Sequence, residues 1–233
     1  RSITTQASTS GQPVRAVAAS WTDQPGLPLV RVQAACEAGR TQLTLSQERF
    51  SAGAALPPAT WQVPVRLLQG AHERMVLLAK PTMRVNWPGC DTAPLLANAG
   101  GVGYYRVAYD TALAARLAAQ FGQLAVVDQV SLLADGFALA RAGQQPLAVY
   151  LDLLQALPSL KEPARTALYS LATQQLRELE LAFRGTPAEP ALQRAMRAPD
   201  AAMKSELFLD RISRFVARDR SGRRVAVRIG EQV

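Results

Sequence analysis

Histidine is nearly absent from this sequence: His72 is the only one among 233 residues. That excludes any metal site or proton relay requiring two imidazoles from this chain alone. Cysteine is also scarce, with only Cys36 and Cys90, and no Cys-x-x-Cys pair supports a zinc or redox motif. Lysine is confined to Lys80, Lys161 and Lys204, so the net charge of +8 rests almost wholly on arginine. Together with the abundant alanine, this bias points to a GC-rich bacterial source and weakens the reading of each arginine as a ligand contact. No apolar run reaches the roughly 20 residues that cross a bilayer, and RSITTQASTSGQP lacks the apolar stretch of a signal peptide. An upstream signal would not be visible in a piece of a longer chain.

What is present is enough to fold. Hydrophobic residues make up 48% of the sequence, so a substantial core can form and disorder is not the default. The length allows two compact domains. Ser10 to Trp21 reads as a short helix, with Ser10 as N-cap, Pro13 in the first turn and Val14, Val17, Ala18 and Trp21 on one face. Gln24-Pro25-Gly26 ends it.

From Leu27 to about Tyr109 the period is two. LPLVRVQAAC and TQLTLSQERF read as a hairpin around Gly39-Arg40, followed by WQVPVRLLQG, ERMVLLAK, TMRVNWPG and Tyr104–Tyr109. Pro64 favours an edge position for its strand. Short strands separated by proline and glycine argue for a small antiparallel β-sandwich.

After Asp110 the period becomes helical. Helices are expected over residues 112–121, 126–141, 147–157, 163–183, 190–196 and 201–217, with Gly143 as a stop signal. Short loops between them suggest an array of helical hairpins. Arg223 to Ile229 alternates and reads as a strand or a frayed end. The fold class expected is therefore β then α: residues 1–22 a helix and linker, 23–110 the sandwich, and 111–233 an α-helical domain.

Several motifs have sharp and bland readings. His72 with Cys36 and Cys90 could be imagined as a metal site, but a surface loop histidine is the simpler assignment. Cys36 and Cys90 could form one buried disulfide in an exported or periplasmic protein; unpaired thiols would fit the cytoplasm. Gly100-Gly101-Val102-Gly103 looks like a phosphate loop, yet a strand follows where a helix should open. Tyr104, Tyr105 and Tyr109 read as packing residues, with Tyr104 and Tyr105 on opposite faces and Arg106 in an ion pair or cap. Asp128 and Asp135 lie two turns apart on one helix, a spacing that fits solvated or capping roles better than catalysis. Seven arginines between Arg211 and Arg228 could meet phosphates, but Phe208 and Phe215 have core spacing and few aromatics interleave. A nucleic-acid role is the weaker rival, and no membrane partner is indicated.

Four strings in order carry a resemblance. SGQPVRAVAASWTDQPGLPLV, LTLSQERF, WQVPV and GVGYYRVAYD, followed by VVDQVSLLADGFALARAG, are similar to the C-terminal region of the aminopeptidase N family of zinc peptidases. The similarity extends over Ser10 to Leu157 and fades beyond it. In that family the Trp-Thr pair ends the last helix of the catalytic domain, a β-sandwich follows, and Gly-Tyr-Tyr-Arg-Val-x-Tyr-Asp leads into a helical domain. The roughly 120 helical residues here imply a truncated or shortened version of that domain.

The resemblance implies a parent enzyme that removes N-terminal amino acids from peptides, with zinc held by His-Glu-x-x-His plus a distant Glu. It also implies a Gly-x-Met-Glu-Asn loop for the substrate amine. Neither string occurs here: Val76 stands four residues after His72. The chain is thus expected to hold no catalytic residue, metal ligand or cofactor, and to have the catalytic domain of the same polypeptide as its partner. It would contact peptide substrate only indirectly, as a spacer and cap. The alternative of another class is a free-standing protein-interaction module built on the helical array.

Overall fold

The computed structural model describes residues 14–53, 56–157, 160–161, 164–182 and 184–185. The start of the first helix, the helices expected after residue 185, the arginine-rich tail and the RVAVRI strand lie outside the described residues. The chain divides into two compact units, Arg1–Leu113 and Ala114–Val233.

The first unit opens with helix α1 (Val14–Thr22) and continues as strands β1 (Pro28–Glu37), β2 (Arg40–Arg49), β3 (Val63–Gln69), β4 (His72–Leu78), β5 (Thr82–Trp87), β6 (Leu95–Leu96) and β7 (Arg106–Tyr109). One sheet has the order β5-β2-β1-β7 and the other β4-β3-β6. The β1–β2 hairpin turns at Ala38 and Gly39, both at positive φ (47° and 75°), the combination a two-residue hairpin loop needs to follow the strand twist. Alternation then sets the inner face. Val30, Val32, Leu43, Leu45, Val63, Val65 and Leu67 are all fully buried around Trp61.

Two details differ from the sequence expectation. The last strand, β7, lies beside β1 in parallel, pairing Val30 with Val107 and Val32 with Tyr109. The sandwich is therefore mixed rather than wholly antiparallel. Strand β3 is central by order, not an edge. Strand β6 reaches only Leu68 and Gln69, so the half of β3 that carries Pro64 pairs with β4 alone, and no second ladder asks proline for an N–H.

A disulfide joins Cys36 at the end of β1 to Cys90 after β5, with Cα atoms 5.6 Å apart. It ties the rim of the first sheet to the loop that enters β6.

Helix α2 (Thr111–Ala119) begins in the first unit, where Leu113 joins the sandwich core. The second unit holds a 3₁₀ turn (Phe121–Gln123) and helices α3 (Val126–Arg141), α4 (Leu147–Gln155) and α5 (Ala164–Ala182). Gly143 ends α3 at φ 66°, the left-handed conformation that closes helices. The three helices pack through Leu133, Phe137, Tyr150, Leu154, Leu168 and Leu176, all buried. Phe137 and Tyr150 meet at 5.5 Å between ring centroids. Gly136 allows α3 and α4 this approach, since a Cβ there would lie 3.3 Å from the Leu153 side chain and 3.7 Å from Tyr150.

Candidate functional site

The residues singled out in the sequence strings converge on one place in the first unit. Helix α1 is fastened to the segment before β3 by side chains of its last turn and of Gln24 just beyond it. Trp21 Nε1 donates to the Gln62 carbonyl (3.2 Å), Gln62 N–H donates to Ser20 Oγ (3.1 Å), and Gln24 Nε2 donates to the Thr60 carbonyl (2.9 Å). The Trp21 ring lies 6.3 Å from Trp61 and 6.4 Å from Tyr104, both tilted, within the range where aromatic pairs attract.

Beneath this contact, each position of the Gln-x-Arg-Phe string has a distinct task. Gln47 is buried in β2 and reads the backbone of the opposite sheet. It accepts from Trp61 N–H (2.8 Å) and donates to the carbonyls of Trp61 (2.8 Å) and Leu78 (3.0 Å). Arg49 places its guanidinium 5.7 Å from the centre of the Trp61 ring, and Arg106 lies 5.8 Å from that of Phe50, a cation-on-ring arrangement. The Arg49 stem packs 3.5 Å from where a Cβ on Gly26 would stand, at φ 100°. The Gln-Pro-Gly stop signal therefore turns the chain and also leaves room for that arginine.

The tyrosine string divides as alternation requires. Tyr105 is buried and donates to the Ala97 carbonyl (2.8 Å), while Tyr109 accepts from Ala97 N–H (2.9 Å). Ala97 is thus gripped on both sides by two hydroxyls. The glycine-rich loop is shaped for the same purpose: Asn98 bonds both the N–H (2.8 Å) and the carbonyl (3.0 Å) of Gly103. A Cβ on Gly103 would collide with the Tyr105 ring. Ala99–Gly101 forms a 3₁₀ turn and β7 follows, so no helix opens to receive a phosphate. Asp110 closes the string. Its carboxylate accepts from Ala34 N–H and Leu113 N–H (both 2.9 Å), joining β1 to the first turn of α2 as an N-cap does. Arg106, expected in an ion pair or cap, also stands over the Phe50 ring.

The result is an uncovered apolar face. Tyr104 is 73% exposed and Val102 64% exposed, while Trp21 is half-buried beside Tyr104. No residue of α1 is buried, although Val14, Val17, Ala18 and Trp21 recur along one side of it. Tyr104 and the half-buried Trp21 thus form an exposed aromatic pair at this junction.

The remaining candidates do not gather into chemistry. His72 is exposed and begins β4, rather than lying in a loop; it faces Gln69 across the Gly70-Ala71 turn. Cys36 and Cys90 are bonded to each other, so neither offers a thiolate to a metal. Among the described residues no group of three or more His, Cys, Asp or Glu could hold a metal ion, and the residues present do not fit a zinc site. No helix among the described residues is long and apolar enough to cross a membrane.

Asp128 and Asp135 are both buried in α3, not solvated. The polar, spaced pattern of that helix hid this, because its buried face carries Gln129 as well as leucines. Gln129 Nε2 donates to the Phe121 carbonyl (2.8 Å), and Tyr150 donates to Gln175 Oε1 (2.9 Å). Burial, and then the charge of Glu178, push the Tyr150 hydroxyl above its ordinary range, so it stays a neutral donor. Sequence reasoning also missed the second buried amide of the sandwich: Gln69 accepts from Trp87 Nε1 (2.7 Å) and donates to the Ala93 carbonyl (2.9 Å).

Comparison with known sequences gives a consistent result. Residues 94–199 match the family described as ERAP1-like C-terminal domain, which carries the likeness 42 residues past Leu157. The chain is 34% identical over 165 residues to aminopeptidase M1 of Arabidopsis thaliana, covering 63% of this chain and 18% of that protein. It is 32% identical over 165 residues to glutamyl aminopeptidase of Mus musculus, with 64% and 17% covered. It is 29% identical over 157 residues to puromycin-sensitive aminopeptidase of Caenorhabditis elegans, with 62% and 16% covered. The matched stretch spans less than a fifth of the length of these relatives, which come from plants and animals.

Proposed function

This chain carries a non-catalytic C-terminal region of the aminopeptidase N family, and from that premise we propose that it serves as spacer and cap for a zinc aminopeptidase. The β unit holds its neighbours at fixed positions, and the helical unit lies over the cleft of the parent enzyme and limits which peptides enter. Zinc, the substrate amine and the reacting water belong to a catalytic domain outside these residues. The observation that carries the reading is the convergence at Trp21. Five residues of four separate strings (Trp21, Gln47, Arg49, Trp61 and Tyr104) meet where α1 is held against the sandwich, and Tyr104 and Val102 stay exposed. A spacer needs such a rigid junction with an apolar seat, and the catalytic domain is the occupant we assign to it.

A disulfide in a domain of this size favours an oxidising compartment, so we place the protein outside the cytoplasm. The reading is tested by the reading frame upstream of Arg1 and by the isolated chain. Several hundred codons containing His-Glu-x-x-His and Gly-x-Met-Glu-Asn are expected. A start codon near Arg1, stoichiometric zinc in the pure chain, or hydrolysis of an aminoacyl arylamide by it would overturn the proposal.

A further inference from the structure

The sandwich leaves one side open. Strand β5 is bonded to β2 and strand β4 to β3, and among the described residues neither has a partner on its other edge. These two edges, one from each sheet, flank a slot of about 470 Å³ lined by Arg74, Met75, Val76, Met83, Arg84 and Val85, among others. We propose that this slot binds an extended acidic polypeptide segment, taken up by strand addition.

Three features lead there. The floor is apolar: Val76 and Val85 belong to the core cluster and Met83 packs against it, so alternate side chains of an added strand would find aliphatic contact. Met75 is 57% exposed at the rim; an unbranched thioether adapts to varied partners. The charge is of one sign. Arg74 and Arg84 are both exposed, and no Asp or Glu lines the slot. Arg74 stands two residues from Val76, hence on the face that points into the sandwich, where an arginine at an open edge meets whatever enters. An extended peptide adds main-chain hydrogen bonds to a free edge and is selected by its alternate side chains. Arg84 lies between the inward-facing Met83 and Val85, hence on the outer side of β5 at the mouth of the slot, so Arg74 meets carboxylates on the inner side of an added strand and Arg84 those on its outer side or at its ends. A second copy of the chain is a poorer occupant, because it would bring the same arginines to the seam on a molecule of net charge +8.

The test uses the isolated 233-residue chain and does not depend on what enzyme it serves. Binding of fluorescein-labelled (Glu-Val)5 is followed by anisotropy at about 0.15 M salt, where the Debye length is about 8 Å. Three peptides separate the contributions. (Glu-Pro)5 has the same charge but no N–H on alternate residues, (Lys-Val)5 has the opposite charge, and (Ser-Val)5 has none. Expected is a Kd for (Glu-Val)5 at least about tenfold lower than for each control, a difference of about 1.4 kcal/mol. The double variant Arg74→Glu/Arg84→Glu should lose at least about tenfold while keeping its tryptophan fluorescence and circular dichroism. Arg15→Glu/Arg40→Glu, which changes net charge equally at two other exposed positions, should keep binding within about twofold, the effect of net charge alone being small beyond a Debye length. Absence of binding would overturn the proposal and leave the arginines as guards of the edge. Equal binding of (Glu-Pro)5, or equal loss in both double variants, would reduce it to diffuse attraction and overturn it too. So would a concentration-dependent dimer in sedimentation that the Arg74→Glu/Arg84→Glu variant abolishes.

Discussion

The two units of this chain are held together by different means. In the β unit, residues far apart in sequence are tied by specific polar groups. Gln47 reaches Trp61 and Leu78, Gln69 joins Trp87 to Ala93, Asp110 bonds Ala34, and a disulfide closes a separation of 54 residues. In the helical unit the packing is mainly apolar and between near neighbours in sequence, with α3 against α4 and α5 through leucines, Phe137 and Tyr150. A tie of the first kind admits one residue type at one position. Packing of the second kind admits many side chains of similar volume. That contrast accounts for the resemblance being read in short strings through the sandwich and fading at Leu157, although the family match continues to residue 199.

The contrast can be probed with two signals, because all three tryptophans (Trp21, Trp61 and Trp87) lie in the β unit. Tryptophan fluorescence therefore reports that unit, while circular dichroism at 222 nm is dominated by the helices. The largest effect is expected from Cys36→Ser/Cys90→Ser. Opening a loop of 54 residues should cost about 4 kcal/mol if the loss is that of chain entropy in the unfolded state. It should move the fluorescence midpoint and spare the helical signal. A shift in both signals together would show that the units unfold as one.

Next is Gln47→Leu, which keeps the volume but removes the acceptor of Trp61 N–H and the donor to the Trp61, Leu78 and Lys80 carbonyls. A loss of about 2–3 kcal/mol is expected, again in fluorescence alone. Its mirror in the other unit is Gly136→Val, where a branched side chain would press on Leu153 and Tyr150. A loss of about 2 kcal/mol is expected from overpacking, read in the helical signal.

The smallest effect separates the units by pH. Tyr150 is protonated in the folded chain well above the ordinary tyrosine value of 10.0, chiefly because it is buried and then because of Glu178. A group whose folded value is raised contributes fully below its unfolded value and loses that contribution as the pH rises past it. Alkaline weakening of the helical signal should therefore begin near pH 10 and steepen above it. Tyr150→Phe should lose about 1 kcal/mol at pH 7, from the bond to Gln175, and show less of the alkaline decline. An unchanged decline would assign it to other groups.

Much of the architecture was legible in the sequence because periodicity reports directly on which face is buried. The β1–β2 hairpin, the span Val126–Arg141 and the opposite orientations of Tyr104 and Tyr105 all came from alternation or helical spacing. The rest required the third dimension. Strand direction leaves no periodic mark, so the parallel pairing of β7 with β1 was not visible. Strand β6 has two residues, too few to show a period. The buried amides Gln47 and Gln69 and the buried carboxylates Asp128 and Asp135 look like surface residues until the backbone groups around them are placed. The aromatic seat was half legible: the strings flagged Trp21 and Tyr104, but only the meeting of α1 with the segment before β7 gives them a joint task.

The spacer-and-cap account is tested most directly in the longer polypeptide that it assigns to this chain. Its zinc content and its kcat/KM on an aminoacyl arylamide and on a ten-residue peptide would be compared with and without residues 114–233. The account predicts zinc retained and the ratio of the two kcat/KM values changed by at least about tenfold, since a cap acts on long and short substrates unequally. Zinc retained with an unchanged ratio would contradict it.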